Sequence, residues 1–551
     1  MAHTLSLFLI ICIGFTMSAQ QHRTILHNAK VYTVNEKQPL TEAVVIEGNK
    51  ILFTGSNSEA MQFRTGTTDM LDLNGKLVLP GLIDNHVHFI NGGFYLNGIN
   101  LRPAKTVHEF ISILGSYISQ YPGQWVTGGD WDHEAWDQKV EPRKEWIDSV
   151  SGSTPVFVNR FDGHMGVANS EALRRANITK DTPDPDGGKI VKDPVTGEPT
   201  GVLKDNAMSL VYSIIPTPGE AEYDAALRSA LNEAKRLGIT SVQDITYYND
   251  LATYRRAKEN KQLTCRIYGR TPIDSFHDMV EQGVTAGSGD EYIKLGSLKA
   301  FTDGSLGSAT AWFFDPYVQD TSTCGLAMDI VSDGRLERWG IDADSKRLQL
   351  SIHAIGDRAN SWCLDLFSKI IKENPQWDRR FRIEHAQHLR KEDISRMKQL
   401  NVVASVQPYH AIDDGVWAEK RIGKERLRYT YPFRSLIDAG VKVSFGTDWS
   451  VAPLNPMLGI YAAVTRRTLD GKNPNGWIPE EKISVEEAVK CYTLNSAYGA
   501  FEENIKGSIE PGKLADLVVL SDDIFSIDPE KIKDVHVLMT IFDGVVIYSL
   551  H

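Results

Sequence analysis

Two histidines one residue apart, His86 and His88, follow the run LPGLIDN. Residues two apart on a strand share a face, so both imidazoles can reach one metal ion. A lone H-x-H pair is weak evidence, because buried histidines more often just satisfy a hydrogen bond. Three more short β-type runs end in similar chemistry: LQLSIH in His353, FRIEH in His385 and VKVSFGTD in Asp448. Four histidines and an aspartate at strand ends supply nitrogen and carboxylate donors of the kind that suit Zn2+ or another first-row divalent metal.

A fifth run, IKLGSLKAFTDGS, carries lysines where a buried strand would not. Lys294 and Lys299 are five apart, so a regular strand sends them to opposite faces and leaves Lys299 pointing inward near the strand's end. An ammonium beside metal ions would be repelled. Burial lowers a lysine pKa and frees the amine, and a neutral amine reacts with CO2 to give a carbamate. Such an anion can bridge two metals about 3.5–4 Å apart, the spacing of two-metal hydrolases.

These residues need a frame that gathers strand ends. Eight strand candidates alternate with helical patterns: GLIDNHVHF, GITSVQDI, LTCRIYG, IKLGSLKAF, LQLSIHA, FRIEHAQ, NVVASVQP and VKVSFGTD. The alternation predicts βαβ units, and eight of them predict an α/β fold, a (β/α)8 barrel whose active site lies at the C-terminal ends of its strands. About 150 residues separate the first two candidates, too many for one crossover, so residues 100–215 or so are expected to be an insertion. It is rich in aromatics, including Trp125, Trp131 and Trp136, which would either wall a substrate pocket or simply pack. The box Ser484-Val485-Glu486-Glu487 marks the start of the last barrel helix. Short β-branched runs at both termini, TILHNAKVYTV through LDLNGKLVLPG and then ADLVVLSDD and VLMTIFDGVVIYS, predict one small β-sandwich built from residues 20–80 and 501–551, around a barrel of 81–500.

The bulk numbers narrow the function. A formal net charge of −12 argues against a nucleic-acid partner. The apolar run from Leu5 to Phe15 is too short to span a bilayer, and Ser18 and Ala19 follow it. Residues 1–19 are therefore expected to be a signal peptide, giving an exported, periplasmic or secreted protein with no membrane anchor. Cys265, Cys324, Cys363 and Cys491 are widely spaced and suggest neither a thiolate zinc site nor a disulfide framework.

Together, His86, His88, Lys299, His353, His385 and Asp448, with the strings LPGLIDNHVHF, KAFTDGSLGS, HAIGDRAN, RIEHAQ, SVQPYH and GTDWSVAPLNP, resemble the amidohydrolase superfamily. The match is closest to amidohydrolase family 3, the branch like N-substituted formamide deformylase. The resemblance implies two divalent metals: one on His86, His88 and Asp448, the other on His353 and His385, bridged by N6-carboxylysine at Lys299. It also implies a hydroxide bridging the metals, with Asp448 taking its proton. The expected activity is hydrolysis of a carbon–nitrogen bond, other than a peptide bond, in a small amide, N-acyl or N-formyl compound. His164, Asp303, Gln407 and His410 are candidates for substrate contact, with Asp244 and Asp303 equally placed to orient a metal ligand from behind. An ester, lactone or phosphotriester hydrolase would use the same site. A non-catalytic secreted binding protein is the reading from another class, and a homo-oligomer is compatible with either.

Overall fold

The computed structural model describes residues 22–160, 165–185 and 188–550. The expected signal peptide and His164 lie outside them. The centre is a barrel of eight parallel strands in sequence order: β1 (Leu82–Val87), β2 (Ile239–Ile245), β3 (Arg266–Pro272), β4 (Ile293–Phe301), β5 (Gln349–Ala354), β6 (Arg382–His385), β7 (Val403–Val406) and β8 (Lys442–Phe445). All eight fall on the runs read from sequence. The seam between β8 and β1 is stitched beyond the strands proper. Asp448 N–H donates to His86 O at 2.7 Å, His88 N–H to Trp449 O at 2.7 Å, and Val87 pairs in parallel with Trp449. Gly446 permits this approach, since a Cβ there would sit 2.5 Å from the Asn85 side chain and the His86 nitrogen.

Apolar side chains on the outer faces of the strands pack against the surrounding helices, with Leu298, Leu350, Ile352, Ile383 and Val443 fully buried. The barrel interior is different. Bulky branched residues usually fill it; here Gln243, Arg270, Gln349, Arg382, Glu384 and Ser405 do, all at most 1 % exposed.

The strand-parity argument for the two lysines fails, for a visible reason. Between Tyr268↔Lys294 and Arg270↔Ser297 the register slips, so β4 carries one residue more than β3. The bulge contains Gly296, whose φ of 105° and whose missing Cβ, which would lie 2.0 Å from Thr285 O, both require glycine. The extra residue restores parity, so Lys294 and Lys299 face the same way and differ in height. Lys294 lies low in the barrel, 3.8 Å from Glu502, while Lys299 lies near the mouth.

Both chain ends build the sandwich. One sheet runs 50–55, 43–47, 23–27, 69–72, and the other 545–549, 537–542, 517–520, 77–80, 30–32, 40–41. Leu77–Pro80 pairs antiparallel with Leu517–Leu520, joining residues from opposite termini. After β1 the chain makes a short helix, Phe89–Asn97, and then the insertion, which has a six-stranded sheet of its own. Trp131 and Trp136 are at most 1 % exposed in its core beside Phe110 and Ile147, and Trp131 Nε1 donates to Val158 O at 2.9 Å. They pack the insertion and form no substrate wall. The last barrel helix, Val485–Cys491, starts on the expected box: Ser484 Oγ accepts from Glu487 N–H, and the Glu487 carboxylate accepts from Ser484 N–H. Cys265, Cys324, Cys363 and Cys491 are all free thiols.

Candidate metal centre

The C-terminal rims of β1, β4, β5, β6 and β8 converge on one point. His86 Nε2 and His88 Nε2 lie 3.6 and 3.4 Å from Asp448 Oδ1. The rings of His86 and His385 are 4.9 Å apart, and those of His385 and His353 4.5 Å. Among the described residues, two groups have ligand atoms close enough to surround an ion: His86 with His88 and Asp448, and His385 with His410 and Asp448. Asp448 is common to both.

Two of these residues are turned in by unusual backbone. On an ideal strand, Arg382 and Glu384 share the inner face and His385 would follow Ile383 outward. Instead β6 ends at His385 with φ 73°, and Ala386 follows at φ 42°. Asp448 has φ 60°. Left-handed conformations cost a non-glycine residue about 1–3 kcal/mol and concentrate where a site demands them.

Behind the ring of ligands sits Glu384, wholly buried. It accepts from Arg382 Nε at 2.8 Å and from the hydroxyls of Ser351 and Ser405 at 2.6 Å each, and it forms an ion pair with Arg270 Nη1 at 2.8 Å. It also accepts from His86 Nδ1. Burial pushes this carboxyl up, but Arg270, Arg382 and His86 outweigh it and hold it well below its ordinary value. An ionised carboxylate only accepts, so the His86 proton sits on Nδ1 and the Nε2 lone pair faces Asp448. The same logic orients His385, whose Nδ1 donates to Gln407 Oε1 at 2.8 Å. Acceptors of this kind fix the tautomer of a metal-binding imidazole and raise its basicity.

The electrostatics favour neutral ligands. Burial, with Lys299 adding to it, lowers His86 and His353 to about 3. Burial and the neighbouring His353 and His86 rings hold His385 well below its usual range. Asp448 is held well below the carboxylate range: burial raises it, and the facing His86, His88 and His385 outweigh that. Lys299 is 3 % exposed, its Nζ has no hydrogen-bond partner, and burial brings it down to about 7. The residues fit divalent metals: imidazole lone pairs, a shared carboxylate, and a buried amine with no hydrogen-bond partner among the described residues.

The remaining sequence candidates take different places. Gln407 is fully buried behind His385, so it positions that ring and is not open to substrate. Asp303 is also buried; it accepts from the backbone N–H groups of Trp312, Ile355 and Gly356 at 2.8–3.0 Å and lies 3.5 Å from His353 Nε2. It ties the loops after β4 and β5 together and does not reach the pocket. His353 Nε2 meets Gly304 O at 3.1 Å and belongs to neither ligand group. His410, read as a pocket residue, stands with its ring parallel to His385 at 6.5 Å, and its buried Nε2 has no partner. Asp244 accepts from Phe89 N–H, Thr246 Oγ1 and Tyr254 OH, which fixes the turn that follows His88. Glu384, Arg270 and Arg382 escaped the sequence reading. The signal available was the pair Arg382 and Glu384 at i and i+2 in a strand otherwise read as buried.

The amidohydrolase family profile matches residues 69–548. The protein LONG AFTER FAR-RED 3 of Arabidopsis thaliana is 37 % identical over 511 residues, 90 % of this chain and 87 % of that protein. N-substituted formamide deformylase of Arthrobacter pascens is 28 % identical over 548 residues, 96 % of this chain and 99 % of the enzyme. Among solved structures, a metal-dependent hydrolase of Pyrococcus horikoshii superposes with a TM-score of 0.78 at 27 % identity, covering 92 % of this chain and 99 % of that one.

Proposed function

This chain belongs to the amidohydrolase family, and from that premise we propose that it hydrolyses the carbon–nitrogen bond of a small amide, N-acyl or N-formyl compound. The observation that carries the reading is the meeting of His86, His88, His385 and Asp448 beside an unpartnered buried amine. The similarity to a formamide deformylase supports the choice of bond.

His86, His88 and Asp448 would hold one divalent ion, and His385 with His410 or His353 a second; nitrogen and carboxylate donors favour Zn2+. Lys299, neutral for much of the time near pH 7, would carry a carbamate facing both. Metals held there would supply Lewis acidity and a nucleophilic water near neutral pH.

The protein's own part is positioning and proton transfer. Glu384 and Gln407 keep protons on the far nitrogens of His86 and His385, so that both Nε2 atoms face the reaction. Asp448 Oδ1 accepts the proton of the attacking water and delivers it to the departing amine nitrogen, base first and acid second. The apolar run Leu5–Phe15 with Ser18 and Ala19 supports export of the mature chain.

The test is a panel of N-formyl and N-acyl amines assayed on metal-loaded protein, with Asp448→Asn and Lys299→Ala alongside. Turnover of at least one class, lost by about 10²-fold or more in Asp448→Asn, is expected. Full activity in Lys299→Ala, or protein that binds no metal in stoichiometric amount, would remove the reading.

A further inference from the structure

A cavity of about 970 Å³ opens beside the metal centre, over the ends of β2, β3 and β4. Its origin is local. The helix after β3, Phe276–Glu281, is only six residues long and leaves the outer faces of β3 and β4 partly uncovered between it and the helix Arg335–Ser345. Leu295 and Ala300, which face outward on β4, line the deep end, and Lys299 and Phe301 line the end nearest the site. The Phe301 ring is 5.1 Å from the His353 ring and 4.7 Å from Lys299 Nζ. A ligand lying in the cavity therefore reaches to the edge of the reaction zone.

The walls are apolar where a soluble surface would not be. Tyr247, Phe301, Leu326 and Met328 all border the cavity and are 38–63 % exposed. Four large apolar side chains exposed around one concavity are the mark of a binding surface. The unpaired carboxylates there outnumber the free cations. Asp274, Asp278 and Asp329 line the cavity, and none makes an ion pair among the described residues. Of the two basic side chains there, Arg335 is already committed to Asp333 at 2.7 Å, and Lys299, at the end nearest the site, is the residue read above as carrying the carbamate.

We propose that this cavity holds the arm of the substrate remote from the scissile bond, and that this arm is an apolar chain or ring bearing a cationic nitrogen. The inference builds on the hydrolase reading above for the word substrate, but the site itself is testable by binding alone. Exposed Leu, Met and aromatic surface takes the hydrocarbon, and the three aspartates favour a cation while rejecting an anion of the same length.

The experiment measures binding of three eight-carbon probes to the metal-loaded protein by calorimetry: octyltrimethylammonium, octan-1-ol and octyl sulfate. A quaternary ammonium has no lone pair for a metal, so it reports the cavity and not the centre. Octyltrimethylammonium is expected to bind at least tenfold more tightly than octyl sulfate. The combined Asp274→Asn, Asp278→Asn, Asp329→Asn variant should bring that ratio below threefold and leave octan-1-ol unchanged. Leu326→Ser with Met328→Ser, both at solvent-exposed positions, should weaken all three probes. Equal affinity for the cation and the anion, no measurable binding of any probe, or insensitivity to both variants would overturn the proposal. A protein that cleaves N-formyl amines yet fails these tests overturns the cavity assignment alone. One that passes them without hydrolysing any amide overturns the proposed reaction alone.

Discussion

Replacing Glu384 by glutamine tests how the centre is held together. The substitution keeps size and shape but removes the negative charge that Arg270, Arg382 and His86 Nδ1 share inside the barrel. Every partner of Glu384 donates to it, so the new amide must turn an NH2 toward a guanidinium, the imidazole or a serine. Leaving a buried ion pair without its partner costs about 3–5 kcal/mol, and two guanidiniums lose theirs here. An exposed pair gives the scale: Arg396 and Asp365, the latter 72 % exposed, should cost no more than about 1 kcal/mol when Asp365 becomes alanine. Metal binding adds a second, separable effect, because His86 loses the acceptor that fixes its tautomer; the expected loss is about 10–100-fold. Denaturant unfolding of metal-free protein reads the first, and competition with a chromophoric chelator reads the second. A Glu384→Gln protein that unfolds at the wild-type midpoint and binds metal with wild-type affinity would refute both the charge argument and the tautomer argument.

Gln407→Met keeps the volume and removes the acceptor for His385 Nδ1, so metal affinity should fall about 10–100-fold with little change in the folded circular dichroism spectrum. Lys299 has a folded pKa of about 7, below the ordinary lysine value, so between those two pH values the unfolded chain holds more protons than the folded one. Stability of the metal-free, CO2-free protein should therefore rise as pH increases above about 7, and Lys299→Met should flatten that rise in denaturation midpoints measured at pH 6.5 and 9. The same titration exposes the amine, so a 13C carbamate signal from labelled bicarbonate should grow over the same interval. Gly296→Ala forces a side chain into Thr285 O and a left-handed backbone, and should lower the unfolding midpoint by the equivalent of about 1–3 kcal/mol or more.

The barrel was legible because its strands read as short apolar runs at βαβ spacing, and the rim residues because each sat at the end of such a run. Lys299 came out on the correct face by an argument that the bulge at Gly296 invalidates: glycine inside a strand hints at a bulge, but periodicity cannot say which parity survives. His385 shows the complementary limit. Alternation sends it outward, and only its left-handed backbone returns it to the centre. Gln407 and Asp303 were read as pocket residues because polar side chains at strand ends look alike in sequence. Their roles depend on which neighbour each meets across the barrel, which local pattern does not encode. Glu384 is the clearest case: its five partners come from five strands and converge only when the barrel closes.

The pairing of Leu77–Pro80 with Leu517–Leu520 has a consequence for synthesis. Leu77, Val78 and Leu79 are almost completely buried in the finished protein, yet their partner strand is made more than four hundred residues later. At about 5–20 residues per second, that interval is on the order of 20–90 s. Throughout it the nascent chain displays an apolar strand with one edge unpaired, the template on which chains aggregate. The barrel between the two halves can assemble in the meantime, but the clasp closes only once residues 517–520 have been made, so that strand governs the yield of folded protein out of proportion to its distance from the metal centre.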